Sequence, residues 1–205
     1  MVIKDFDERK RFILKKLEIA LRKGEVDEPI IPLLNLINSF PDYVTTSSCA
    51  GRIVLIKIPE SGKKHEAEFI YKTHYETTFE EVWEALKEGV KKYKESIWFR
   101  AEPVILHVDC RNIEAAIKIV KLAREAGWKR SGIFEIKPYR VMCELHSTER
   151  LDTIVAKDGK ILVTEEYMKV LVYEANKKLR RTREKMRKFY ELLQMQLQSL
   201  EEVSK

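Results

Sequence analysis

The chain has 205 residues, 44% hydrophobic and 35% charged, with 39 Lys and Arg against 33 Asp and Glu for a formal charge of +6. That is enough apolar material for a sizeable core and too much for a disordered chain, while the modest positive excess permits nucleic acid as a partner without demanding it. Three cysteines, Cys49, Cys110 and Cys143, odd in number and lacking C-x-x-C spacing, exclude a disulfide scaffold, a zinc ribbon and an iron–sulfur cluster, and no metal site is expected.

In chain order, Phe6, Phe12, Leu14, Leu17, Ala20 and Leu21 recur at helical intervals between residues 4 and 23, and Gly24 offers a C-cap. Asp27 is placed to cap a second helix, with Pro29 in its first turn and Ile30, Leu33, Leu34 and Ile37 as an apolar surface before Pro41. Residues 51–58 and 67–73 are β-rich and flank a polar loop from Pro59 to Lys64, which predicts a hairpin. Helical spacing returns over 79–93. Residues 97–102 and 104–109 read as strands, 113–126 as a helix ended by Gly127, and 132–137 and 140–145 as strands. Lys157-Asp158-Gly159-Lys160 is a tight-turn signal, and Thr164 with Glu166 opens a helix that runs, with or without a break, to about Ser199.

This alternation predicts an α+β fold: a mixed, largely antiparallel sheet covered by helices, of a kind two related halves could generate. Residues 1–205 are expected to form a single compact domain with a long C-terminal helix from about residue 164. In that helix Lys177, Lys178, Arg180, Arg181, Arg183, Lys185, Arg187 and Lys188 stand against the single acid Glu184. The stretch reads either as a solvated face or as a track for RNA phosphates, contacted by Lys177, Lys178, Arg180, Arg181, Arg183 and Arg187. Beyond it Leu192, Leu193, Met195, Leu197 and Leu200 would pack on the domain or on a second copy, consistent with a monomer or a weak dimer. No apolar run approaches about 18 residues and the N-terminus is too charged for a signal peptide, so a cytoplasmic, non-membrane protein is expected. Only four Asn and three Gln accompany the many charges, a bias of proteins adapted to heat.

The densest cluster of reactive side chains is Thr45-Thr46-Ser47-Ser48-Cys49-Ala50-Gly51-Arg52. One reading is a strand edge and tight turn with self-bonded hydroxyls. The other is a ligand site, in which hydroxyls and backbone N–H groups meet a polar ligand and Arg52 grips a carboxylate or phosphate. The seven glycines, at 24, 51, 62, 89, 127, 132 and 159, form no G-x-G-x-x-G, and no P-loop, H-E-x-x-H or G-x-S-x-G occurs.

The cluster resembles the signature of the tRNA wybutosine-synthesizing protein 3 family, and further blocks follow in that family's order. They are Tyr71-Lys72-Thr73-His74, Phe99-Arg100-Ala101-Glu102-Pro103, Leu106-His107-Val108-Asp109-Cys110-Arg111, Arg130-Ser131-Gly132-Ile133 and Val163-Thr164-Glu165-Glu166-Tyr167. Two departures occur: His146-Ser147-Thr148 stands where an Arg-Ser-Thr triplet is expected, and a Val-Pro is replaced near Thr153-Ile154.

The resemblance implies an S-adenosylmethionine-dependent methyltransferase. Its target would be N4 of the aminocarboxypropyl-bearing tricyclic guanosine 3′ of the anticodon in tRNA(Phe), with the anticodon arm as partner. Ser47, Ser48, Cys49, Gly51, Arg52, Ser131 and Gly132 are the candidate cofactor contacts. His74, His107 and Asp109 are the available proton acceptors, His107 and Asp109 sharing one strand face with Ile105. Trp98 or Phe99 could stack a base. Two other readings stay open: a non-catalytic tRNA-binding or scaffold module, and a thiol enzyme pairing Cys49 with His107.

Overall fold

The elements of the computed structural model, in chain order, are α1 (Phe6–Arg22), α2 (Ile31–Ser39), β1 (Tyr43–Cys49), β2 (Arg52–Ile58), β3 (Glu68–Thr73), α3 (Phe79–Lys92), β4 (Ser96–Glu102), β5 (Ile105–Cys110), α4 (Ile113–Glu125), β6 (Gly132–Lys137), β7 (Arg140–His146), β8 (Leu151–Lys157), β9 (Lys160–Ile161) and α5 (Glu165–Val203). The structure describes residues 5–203, without the side chains of residues 64 and 199–203. The expected helix start at Lys4 and the apolar side chain of Leu200 lie outside the described residues.

The fold is α+β, and every strand pair among the described residues is antiparallel. The strands form two sheets, ordered β1-β5-β7-β6 and β3-β2-β4-β8-β9. Three links between consecutive strands change sheet: Ala50-Gly51, Pro103-Val104 and the segment after β7. Correspondingly the chain divides into two compact units. Unit 1 comprises the described parts of Met1–Ala50 and Arg183–Lys205 with Val104–Thr148, and unit 2 comprises Gly51–Pro103 and Glu149–Thr182.

Unit 1 is built on the four-stranded sheet. Helix α1 starts at an Asp5 cap that accepts from Glu8 N–H and ends where Gly24, at φ +67°, donates to Leu21 O while Glu25 N–H reaches Ala20 O. These paired bonds satisfy the last carbonyls and need the left-handed glycine. Helices α2 and α4 and the later part of α5 bury Leu34, Ile37, Ile119, Met186 and Phe189 with Trp128 against Leu106, Val108 and Cys110 of β5. Alternation along β5 then sends Ile105, His107 and Asp109 to the opposite face, as expected from the sequence.

Unit 2 packs α3 and the first half of α5 on one face of the five-stranded sheet, with Ile53, Leu55, Ile97 and Phe99 against Val82, Leu86, Met168 and Ala175. Helix α3 starts at a reciprocal Thr78/Glu81 capping box. The predicted β2–β3 hairpin is present, and Asp158 (φ +52°) with Gly159 (φ +69°) turns β8 into β9, as the Asp-Gly signal requires. Thr164 caps α5 through Tyr167 N–H, and the helix runs 39 residues without a break.

Candidate functional site

The Thr45–Arg52 cluster divides between two strands of different sheets. Its first part lies on β1, the edge strand of its sheet. Both ends of that edge are tied down by side chains. Asn38 Oδ1 accepts from Thr45 N–H at 2.8 Å and its amide donates to the Thr45 hydroxyl at 2.9 Å. At the other end Asp27 Oδ2 accepts from Ala50 N–H at 2.8 Å, and Arg183 donates to Ala50 O. Asp27 therefore makes no side-chain cap on the following helical turn, correcting the sequence expectation: an edge strand leaves amides that need partners more than the Pro-led turn does. Gly51 follows at φ +80°, a turn open to glycine at little cost.

Between these anchors Thr46, Ser47 and Ser48 line a cleft of about 430 Å³ whose other walls include Phe12, Lys16 and Leu17 of α1 and Leu34 of α2. Thr46 bonds the carbonyl of His107, while the Ser47 and Ser48 hydroxyls bond to none of the described residues. Ser47 stands opposite His107 and Ser48 opposite Leu106, so their side chains leave β1 on opposite faces, and across the cleft Lys16 Nζ lies 4.5 Å over the Phe12 ring.

Arg52 opens β2 and faces a different cleft, of about 410 Å³, lined also by Arg100, Glu102, Lys63 and Phe69. Its Nε donates to Glu102 Oε2 at 2.6 Å and its guanidinium lies 4.6 Å from the Phe69 ring centroid. Residues contiguous in sequence are therefore delivered to separate clefts, Ser47 and Ser48 in unit 1 and Arg52 in unit 2.

Ser131 is buried, donates to Trp128 O at 2.7 Å and accepts from His146 N–H at 3.1 Å, so its hydroxyl proton is committed within unit 1. Gly132 begins β6 opposite Glu144, with no atom near enough to crowd a Cβ. Asp109 is fully buried in a two-pronged pair with Arg9, at 2.5 and 3.2 Å, with Arg140 Nε 3.7 Å away. A carboxylate so paired is a structural ion and does not reach solvent or substrate as a base.

His107, half-buried and 5.2 Å from the Phe134 ring, donates from Nε2 to Glu144 at 3.1 Å. His74 donates from Nδ1 to Gly51 O at 3.0 Å. Cys49 stands opposite Ile105, while His107 stands opposite Ser47, so the register does not pair thiol with imidazole. Cys110 and Cys143 are buried 3.8 Å apart, and the hydrogen bond to Cys143 together with burial pushes the Cys110 thiol up, away from reactivity. Of the two aromatic candidates, Phe99 is buried in the core, whereas Trp98 lies on the open sheet face.

The cations of α5 have more partners than the sequence suggested. Lys177 pairs with Glu174, Arg187 with Glu191, and Arg180 with Glu76, 104 residues away. Arg183 is engaged by the Ala50 carbonyl. Lys178 is half-buried and Arg181 exposed. Glu76 was invisible from the sequence because charge counting along a helix does not see loops. Among the described residues no acid, His or Cys cluster could hold a metal ion, and no helix is long and apolar enough to cross a membrane.

Two antiparallel sheets, one with a cleft along its β1 edge and one with an arginine-lined cleft, define a two-sheet α+β protein without a glycine-rich nucleotide loop. A solved structure from Pyrococcus horikoshii shares this architecture, with a TM-score of 0.86, 43% identity and coverage of 93% of this chain and 96% of that one. One from Aeropyrum pernix aligns at 0.69 and 26% identity, over 82% of this chain and 98% of that one. Residues 8–195 match the family model described as Methyltransferase TYW3, and the chain belongs to that family. A Pyrococcus abyssi relative, 42% identical over 93% of this chain and 96% of its own length, is named tRNA(Phe) 7-((3-amino-3-carboxypropyl)-4-demethylwyosine(37)-N(4))-methyltransferase 1. A Methanocaldococcus jannaschii relative, 41% identical over 87% of this chain and 92% of its own, carries the same name without the final numeral.

Proposed function

We propose that this chain methylates N4 of the aminocarboxypropyl-bearing demethylwyosine 3′ of the anticodon in tRNA(Phe), with S-adenosylmethionine as donor. The observation that carries this reading is that relatives 42–44% identical over at least nine-tenths of the chain are named for that reaction. It favours catalysis over a scaffold role.

The unit 1 cleft suits the cofactor by its polar wall and its charge: the β1 edge at Ser47 and Ser48 for ribose or carboxylate oxygens, and the Lys16 ammonium, which lies over the Phe12 ring, for the carboxylate. When bound, S-adenosylmethionine supplies an electrophilic methyl group to an in-line nitrogen lone pair. The protein's contribution is then chiefly orientation. A proton must also leave N4, and His74 is the imidazole assigned to take it. Lys177, Lys178, Arg180, Arg181 and Arg187 of α5 contact phosphates of the anticodon arm, and the protein works in the cytoplasm with its tRNA. Pairing with exposed acids does not remove these cations from that role, since such pairs are weak and exchange readily with phosphate.

The test is incorporation of labelled methyl from S-adenosylmethionine into tRNA(Phe) carrying the demethylwyosine derivative, followed by nucleoside analysis. Label in the N4-methyl nucleoside is expected. Cofactor binding without any transfer to that tRNA would overturn the reading.

A further inference from the structure

One face of the five-stranded sheet in unit 2 is covered by α3 and α5, and the other carries a repeated arrangement that the methyl-transfer chemistry leaves unexplained. Arg52 lies on the Phe69 ring, at 4.6 Å, and is held there by Glu102 at 2.6 Å. Arg100 lies on the Trp98 ring, at 5.1 Å, in an ion pair of 2.9 Å with Asp152, which Arg150 shares, and its buried Nε makes no hydrogen bond. The register puts both assemblies on one face: Arg52 stands opposite Glu102, Ile56 opposite both Phe69 and Trp98, and Arg100 opposite Asp152. A hydrogen bond and a ring fix the plane of the Arg52 guanidinium, and an ion pair and a ring restrain that of Arg100, so that each presents a flat, cationic platform. Phe69 is 43% exposed, and the Arg52 and Arg100 side chains, which cover Val54 and Ile56 of the same face, keep 25% and 21% of their surface in solvent.

We infer that this face binds unpaired RNA bases, each stacked on one of the two arginine platforms. The inference rests on the reading of the substrate as tRNA, and it extends that reading to a binding surface distinct from the basic helix. Three features select a nucleic-acid strand as the occupant. Arginine planes and aromatic rings are the groups on which splayed-out RNA bases stack. There are two platforms, and diagonal neighbours on paired strands stand roughly 7–8 Å apart, a spacing for two successive bases and too wide for one ring to cover. Finally Lys72, which stands opposite Val54 and 5.9 Å from the Phe69 ring, and Arg150, which shares Asp152 with Arg100, leave positive charge over after Glu102 and Asp152 are paired, as phosphates between the bases require; Lys63 in the cleft is paired with Glu66.

The proposal is tested with the full chain and a single-stranded oligoadenylate, compared with an RNA duplex of equal length, by titration read through tryptophan fluorescence. Trp128 is buried and Trp83 packs on the core with Phe79, so quenching by a stacked base reports on Trp98. Quenching by the single strand and not by the duplex is expected. Arg100→Lys keeps the charge and loses the plane, and it should weaken oligoadenylate binding by about five- to hundredfold with an unchanged salt slope and an unchanged melting temperature. Phe69→Ala, at an exposed position, should act alike and provides a second variant should Arg100→Lys fail to fold. Equal affinity for duplex and single strand, or full affinity in both variants, overturns the proposal. So does a loss confined to S-adenosylhomocysteine binding, which would give the cleft to the cofactor. Wild-type protein that methylates tRNA(Phe) normally while showing no quenching separates failure of this inference from failure of the proposed reaction; quenching without transfer shows the reverse.

Discussion

The two clefts differ in the chemistry that their strands deliver. In unit 1 the β1 edge offers short hydroxyls and backbone groups, held in place by Asn38 at one end and by Asp27 and Arg183 at the other. In unit 2 the open sheet face offers long, planar, charged side chains, each held by a carboxylate and a ring. An edge strand can present its backbone only where no neighbour pairs with it, so its anchors act on peptide groups. A sheet face presents side chains alone, so its anchors act on guanidinium groups. Residues close in sequence, Ser48 and Arg52, thereby line different clefts, because Gly51 permits a turn that ends one strand and begins the other.

The largest expected effect tests whether the unit 1 edge depends on a buried ion pair beneath it. Arg9→Ala leaves Asp109 buried with only Arg140 at 3.7 Å, and should cost about 3–5 kcal/mol, read as a fall in melting temperature or denaturant midpoint. A near-native midpoint would mean that Asp109 is not a structural ion. Next, His74→Ala should lower turnover by roughly a hundredfold or more without changing cofactor affinity, whereas His107→Ala, whose ring is held by Glu144, should leave turnover close to wild type. Equal losses in both would remove the distinction between the two rings.

A crossed pair of variants sets one cleft directly against the other. Ser48→Ala should weaken S-adenosylmethionine binding roughly two- to tenfold, the worth of one hydrogen bond, and spare RNA affinity. Arg52→Lys should do the opposite. Calorimetry on both ligands checks it, and a joint loss in either variant would merge the two clefts into one site. The smallest effect belongs to α5: because Arg180 already has Glu76 as partner, Arg180→Glu with Arg181→Glu should reduce tRNA affinity only modestly and flatten the log–log salt dependence by about 0.9 for each phosphate that goes unneutralised. An unchanged slope would make the helix a solvated face.

Local signals carried much of this fold. Gly24, the Thr78/Glu81 box, Asp158-Gly159 and Thr164 mark element ends because each acts through bonds within a few residues of itself. The alternation of Leu106, His107, Val108 and Asp109 was equally legible, since strand geometry alone sets it. The sequence also carried the family, through blocks spread over most of the chain. What it left undetermined were partners distant in the chain. Arg9 meets Asp109 across 100 residues and Arg183 meets Ala50 across 133, so a candidate base lies in a buried ion pair and a candidate phosphate ligand also ties down the end of β1. Nor could spacing show that strands 97–102 and 104–109, two residues apart, belong to different sheets. Periodicity reports which face a side chain takes; which element that face meets is decided by the burial of both together, and only the folded chain brings them into contact.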